Sequence, residues 1–235
     1  MIRLAENLEA LSMPCVSSPF GCQIRSKAQA YGFHQSFAQF WTDGEAAYGK
    51  TDGSVCIAGE ITDADETRAF LRAVGTNEVV CSAENAEKLG LNITESGAIL
   101  QKVLRNETVH PAEEISPREI YAVLKANGMV GEPFYLDLSH RMRHGTVRCT
   151  GVSADGKTVA VAAAVLGESA GLISAVAVLP EFHRRGLGTA VVRKMERMLP
   201  SGTVYILREE SKNEAFYDAL GYKPCGAWVQ GKLCN

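Results

Sequence analysis

The 235-residue sequence predicts an α/β (α+β) protein built from two mixed units. Three observations carry that prediction. Strand-like and helix-like runs alternate through the first half. The second half opens on a well-capped helix and then turns strand-rich. Within it an apolar run, Leu172–Val178, leads through a glycine-containing turn into an amphipathic helix. At 46% apolar, 22% charged and 7% aromatic residues, the composition is that of an ordinary folded domain and excludes a disordered or collagen-like chain.

The elements follow in order. A short helical start is expected around Ile2–Leu11, and the stretch from there to Ala30 carries no clear pattern. Three strand-like runs come next, Ser36–Trp41, Glu45–Lys50 and Val55–Ala58, separated by Asp43-Gly44 and Asp52-Gly53, which favour tight hairpins. Asp63 with Glu66 three residues on reads as the N-cap of a helix running to about Val74 and stopped by Gly75. Glu78–Ser82 is predicted as a strand, Ala83–Leu89 as a short helix closed by Gly90, and Ala98–Leu104 as another strand.

Asn106–Ile115, with Pro111 and paired acids, is the expected linker, giving units at residues 1–110 and 116–235. Ser116-Pro117 with Glu119 then opens a helix to about Asn127, stopped by Gly128. Val147–Ser153 and Thr158–Leu166 flank the hairpin signal Asp155-Gly156, and the second run is apolar enough to be buried on both faces. Gly167–Gly171 turns into the strand Leu172–Val178.

Charge and cysteine content narrow the function. Residues 1–131 carry 11 basic and 17 acidic side chains and residues 132–235 carry 13 and 10. That balance predicts no nucleic-acid partner, while a mildly basic second half suits an anionic ligand. No apolar run approaches membrane-spanning length, and the N-terminus lacks the pattern of an export signal. Seven cysteines without a C-x-x-C pair read as reduced, mostly buried thiols, so a cytoplasmic location is expected. His140 and His144 stand at the spacing of helical metal ligands but lack a third partner, and no metal is predicted. Arg141, Arg143 and Arg148 are expected on an exposed strand edge.

The chemistry lies in Leu172–Tyr222. After the strand come Leu179-Pro180-Glu181-Phe182 and His183-Arg184-Arg185-Gly186-Leu187-Gly188-Thr189, running into a helix with Leu187, Val191, Met195 and Met198 on one stripe. A helix start of this kind presents unpaired backbone N–H groups at the positive end of the dipole. Gly186 and Gly188 leave room for a pyrophosphate to approach them, and Arg184 and Arg185 add positive charge. A dinucleotide fingerprint fits poorly, because Val191 stands at its third glycine and seven residues separate strand from glycine.

The segment Val176-Ala177-Val178-Leu179-Pro180 through His183-Arg184-Arg185-Gly186-Leu187-Gly188-Thr189 closely resembles the coenzyme-A signature of the GNAT superfamily of N-acetyltransferases, V-x-V-x-P followed by Q/R-x-x-G-x-G/A. Asn213 through Tyr217 to Leu220-Gly221-Tyr222 is similar to the family's element of an Asn followed by Y-x-x-L-G-F/Y. The resemblance covers about Ser116–Asn235 and implies a mixed, splayed sheet flanked by helices, an acetyl-CoA co-substrate and a small-molecule or protein amine as acceptor.

It further implies that the backbone of Val176, Ala177 and Val178 pairs with the pantetheine arm and that His183, Arg184, Arg185, Gly186, Leu187, Gly188 and Thr189 cradle the pyrophosphate. Asn213 would bind the pantetheine or hold the strand ends, and Tyr217 would protonate the leaving thiolate. His183 departs from the pattern's Gln or Arg. The general base is unassigned among Glu168, Glu209, Glu210, Asp137 and His140. Tandem members of the family offer a reading of the first half as a decayed or partial copy. Without a phosphate-loop signature before Gly131, it is expected to leave one coenzyme site per chain. It would shape the acceptor pocket, cover a sheet edge or mediate dimerisation. The rival class is a non-catalytic coenzyme-A-binding module.

Overall fold

The computed structural model describes residues 1–15, 17–105 and 115–234. The chain begins with β1 (Arg3–Leu4), a 3₁₀ turn at Glu9–Leu11, α1 (Ser12–Cys15) and α2 (Pro19–Tyr31), and not with the helix expected at Ile2–Leu11. Ser18 caps α2 by accepting from the Gly21 N–H, with Pro19 at the first helical position. There follow β2 (Ala38–Thr42), β3 (Ala46–Thr51), β4 (Ser54–Gly59), α3 (Ala64–Ala73), β5 (Glu78–Ser82), α4 (Ala83–Leu89) and β6 (Leu91–Leu104). The second half comprises α5 (Pro117–Ala126), α6 (Glu132–Arg143), β7 (Val147–Ala154), β8 (Lys157–Leu166), β9 (Ala170–Val178), α7 (Leu187–Met198), β10 (Gly202–Glu209), α8 (Glu214–Ala219) and β11 (Lys223–Leu233).

Local chemistry explains most boundaries. Asp63 accepts from the Glu66 N–H at α3, and Ser116 and Glu119 form a reciprocal capping box at α5. The turns Asp52-Gly53 and Asp155-Gly156 hold both residues at positive φ, the conformation a two-residue hairpin requires. α6 was not expected, and the structure shows why. Only Leu138 and Arg141 along it are buried, Leu136 is exposed, and no side chain caps its start, so neither an apolar stripe nor a cap marks it. Arg141 and Arg143 therefore lie on a helix and not on a strand edge. Arg141 is buried, donating to Ser26 Oγ and paired with Asp137. The expected linker at 106–115 falls, but for Ile115, outside the described residues.

All eleven strands form one mixed sheet in the order β1-β2-β3-β4-β5-β11-β6-β10-β9-β8-β7. With β1 set aside, the order is the same from either end. Each half supplies three antiparallel strands, a fourth parallel to the third, and a fifth that crosses over to lie beside the other half's fourth. β6 thus pairs with β10, β11 pairs with β5, and β6 and β11 pair with each other at the centre. The opening helices α2, α5 and α6 cover one face, burying Phe20, Ile24, Ile120 and Leu124 among others. On the opposite face α7 packs Val191, Val192 and Met195, all fully buried, and α3 and α4 bury Leu71 and Leu89. Each such side chain contributes about 1.5–3 kcal/mol of transfer free energy.

None of the seven cysteines is in a disulfide, and Cys15, Cys22, Cys81 and Cys149 are buried. Among the described residues, no helix is long and apolar enough to cross a membrane.

Candidate active site

The two parallel strands of the second half separate. β9 and β10 pair over only four positions, from Ala170↔Thr203 to Ile173↔Ile206. Beyond these, β9 stays with β8 as far as Val178 and β10 stays with β6 as far as Glu209. The edge of Ser174–Val178 facing the gap therefore has no strand partner there. At the fork β9 carries one extra residue, Ser174, between the pairs Ala164↔Ile173 and Ala163↔Ala175. Such a bulge bends the strand and leaves backbone groups outside the ladder.

Two adjoining cavities fill the fork. The larger, about 480 Å³, runs along Val176–Val178 to the start of α7 and back to α8. The smaller, about 180 Å³, lies between Ile173–Val176 and Ile206–Glu209. Met129, Val176, Asn213 and Tyr217 line both, so they form the passage between the two. A shallow groove of about 260 Å³ along Ile93–Ser96 continues from the smaller cavity past Glu209.

The start of α7 faces the larger cavity. Gly186 is its N-cap at φ 75°, a left-handed conformation that suits glycine, and it offers no capping side chain. The first-turn amides therefore keep their donor capacity, no acid stands in that turn, and Arg184 lines the cavity. Gly188 packs against α8: a Cβ there would reach contact distance, 3.4 Å, from ring carbons of Phe216, so any larger side chain would press on that ring.

Of the residues singled out from the sequence, Val176, Ala177, Val178, His183, Arg184, Gly186, Leu187, Gly188, Thr189, Asn213 and Tyr217 all line the larger cavity. Arg185 does not. Its guanidinium lies 5.0 Å from the Phe182 ring centroid and donates to the Glu181 carbonyl. The His183 ring lies 2.9 Å from the Val178 carbonyl and so ties the turn to the end of β9. Asn213 sits at positive φ before α8 and makes no cap bond with its side chain. Tyr217 is half-buried, and burial raises its pKa above the ordinary tyrosine value. Its hydroxyl has no hydrogen-bond partner among the described residues, while its ring packs edge-on against Phe216 and Tyr222.

The candidate bases separate clearly. Glu168 is paired with Arg25 and lies in the turn before β9, at the opposite end of that strand from the cavity. Asp137 accepts from the Tyr31 hydroxyl and from Arg141, and His140 stacks on Tyr31 with its ring 2.9 Å from the Ala30 carbonyl. Glu210 is held by Ser96 along the outer groove. Glu209, ion-paired with Lys212, alone lines the smaller cavity beside Tyr217. His140 and His144 are ring neighbours, and no group among the described residues is placed to hold a metal. Sequence reasoning missed Asn127, Met129, Phe182 and Phe216. The first two lie in the α5–α6 connection, where the only legible signal was a helix stop.

In the first half β4 and β5 also part, after three paired positions from Ser54↔Glu78 to Cys56↔Val80, but a side chain bridges the chain there. β5 passes directly into α4, and Asn85, 2% exposed, donates to the Gly59 carbonyl and accepts from the Ile61 N–H, tying α4 to the end of β4. The start of α3 carries Asp63, Asp65 and Glu66, which would repel a phosphate where Arg184 would attract one.

Residues 150–229 match the family model described as FR47-like protein. No curated protein matches the chain. Among solved structures, a GCN5-related N-acetyltransferase from Kribbella flavida superposes with a TM-score of 0.61 at 16% identity, covering 91% of this chain and 96% of that one. A tandem GNAT protein from the clavulanic acid biosynthesis pathway gives 0.60 at 14% identity, covering 100% and 99%. A GCN5-related N-acetyltransferase from Sphaerobacter thermophilus gives 0.60 at 11%, covering 100% and 96%. Forked strands, glycine-capped helix and superposition over nearly the whole length agree: this chain has the fold of these GNAT structures, with residues 150–229 matching the FR47-like model.

Proposed function

We propose that the protein is an acetyl-CoA-dependent N-acetyltransferase acting on a primary amine, with a single donor site in its second half and a degenerate copy of the fold in its first. The observation that carries this reading is the unpartnered edge of Ser174–Val178 leading to the uncapped start of α7. An extended pantetheine arm can add to such an edge as a strand would, and the α7 amides with Arg184 suit a pyrophosphate. When bound, acetyl-CoA supplies the thioester carbonyl that the amine attacks.

The residues of the chain do the rest. Backbone N–H groups left outside the ladder around the Ser174 bulge would stabilise negative charge on an oxygen in the fork. The Tyr217 hydroxyl, free of other partners, donates a proton to the leaving sulfur. Glu209 takes the ammonium proton directly or through one water, and Lys212 holds its carboxylate. Met129 closes the passage from the helix side.

Binding and turnover test the reading separately. Acetyl-CoA, and not NAD, is expected to raise the melting temperature, and free thiol is expected to accumulate with a primary amine present. Stabilisation by NAD would overturn the assignment. Acetyl-CoA binding with no turnover on any amine would leave a binding module.

Two variants refine it. In Gly188→Val the added methyls meet Phe216, and overpacking of about 1–3 kcal/mol should push the ring into the cavity and weaken acetyl-CoA binding about tenfold by calorimetry. An unchanged Kd would place the donor elsewhere. In Glu209→Gln, kcat/KM at neutral pH should fall less than about 10²-fold, because solvent water can replace the base. The loss should shrink at alkaline pH, where the amine is already neutral. A deficit independent of pH would assign Glu209 a different role.

A further inference from the structure

The first half has lost the donor side of its fork and kept the other side. On the face covered by α2, a cavity of about 510 Å³ lies between the α1–α2 connection, the ends of β4 and β5, and the central strands. Its parts occupy the same topological places as those around Glu209 in the second half. The α1–α2 connection and the first turn of α2 supply Ser17–Phe20 here, and the α5–α6 connection holds Met129 there. The acid at or just past the end of the fourth strand is Glu84 here and Glu209 there. The crossed-over strand alongside is β11 here and β6 there.

The chemistry of the lining defines the ligand. Ile99, Phe20 and Tyr205 give it an apolar and aromatic wall, and the Tyr205 hydroxyl is fixed by its bond to the Ser17 carbonyl at 2.8 Å. The rim carries Gln101 and hydroxyls. Among the described residues Glu84 is the only charged one in the lining, so an anion would meet repulsion and an ammonium group would find a partner. The volume suits a small molecule. We infer that this cavity binds a small arylalkylammonium ion, which the protein holds without acetylating. Asn85 and the acidic start of α3 close the donor side of the same half.

Cys225 provides a reporter, because it is exposed and lines the cavity. In the full-length Cys234→Ser protein, without acetyl-CoA, 2-phenylethylamine is expected to slow N-ethylmaleimide labelling of Cys225. At about ten times its Kd the slowing should be about tenfold. Phenylacetate should give no protection. Glu84→Gln should remove the protection, whereas Glu209→Gln should retain it. Equal protection by phenylacetate, no protection by the amine, or protection that survives Glu84→Gln would overturn the inference. So would protection lost in Glu209→Gln, since the amine would then occupy the acetyl-transfer site. Labelling is read without turnover, so failure of the acetyltransferase assignment would leave this result standing.

Discussion

Tyr217→Phe is expected to lower kcat by about 10²–10³-fold, within the range that positioned acid–base groups contribute, with little change in the Kd for acetyl-CoA. The ring contacts to Phe216 and Tyr222 do not need the hydroxyl, so the cavity should keep its shape. The direction of the pH response follows from burial. Because desolvation raises the Tyr217 pKa, the hydroxyl stays protonated through the neutral range, as an acid must. The wild-type rate should rise with pH as base and amine lose protons, then fall as Tyr217 ionises above the ordinary tyrosine value. The Phe variant should lack that alkaline fall. Equal kcat in the two proteins, or the same alkaline limb in both, would remove Tyr217 from the chemistry.

Lys102→Met is expected to cost about 3 kcal/mol of stability, in the range for removing one partner of a largely buried ion pair. Lys102, on the crossed-over strand β6, donates to both carboxylate oxygens of Glu196 on α7, at 2.8 and 2.9 Å, and to the Leu220 carbonyl at 2.9 Å. Its ammonium also lies 5.5 Å from the Tyr222 ring centroid. Removing the cation leaves a carboxylate that is 7% exposed by residue without this partner. The contact joins a strand from the first half to a helix from the second, so urea midpoints should drop for the whole protein in one transition. Adding Glu196→Gln should recover part of the loss, because the buried charge goes with it. An undiminished midpoint in Lys102→Met would show that the pair contributes nothing net.

Much of the architecture was legible because it is local. The caps at Asp63 and Ser116 and the hairpins at Asp52-Gly53 and Asp155-Gly156 depend on a few consecutive residues, and the structure shows each of them. The same holds for the turn from β9 into α7, where glycine placement and flanking charge can be read in a line. Failures came where burial is decided at a distance. β6 extends back to Leu91 through Asn92, Thr94, Glu95 and Ser96, polar residues that are paired as strand only because β11 lies alongside them. α6 hides a buried arginine where an apolar stripe would be sought.

The candidate site divides along the same line. The chain order of residues already specified a strand and a glycine-containing turn into a helix, since each rests on backbone geometry or near neighbours, while Tyr217 was marked by the family resemblance and its short helix α8 is seen in the structure. Which of the five candidate bases stands beside that tyrosine could not be read there. Glu168, Asp137 and His140 are drawn into contacts with Arg25, Tyr31 and Ala30, while the fork of β9 and β10 brings Glu209 to the cavity. The exchange of β6 and β11 between halves is likewise invisible in the sequence, because strand pairing across more than a hundred residues is selected by packing and not by local preference.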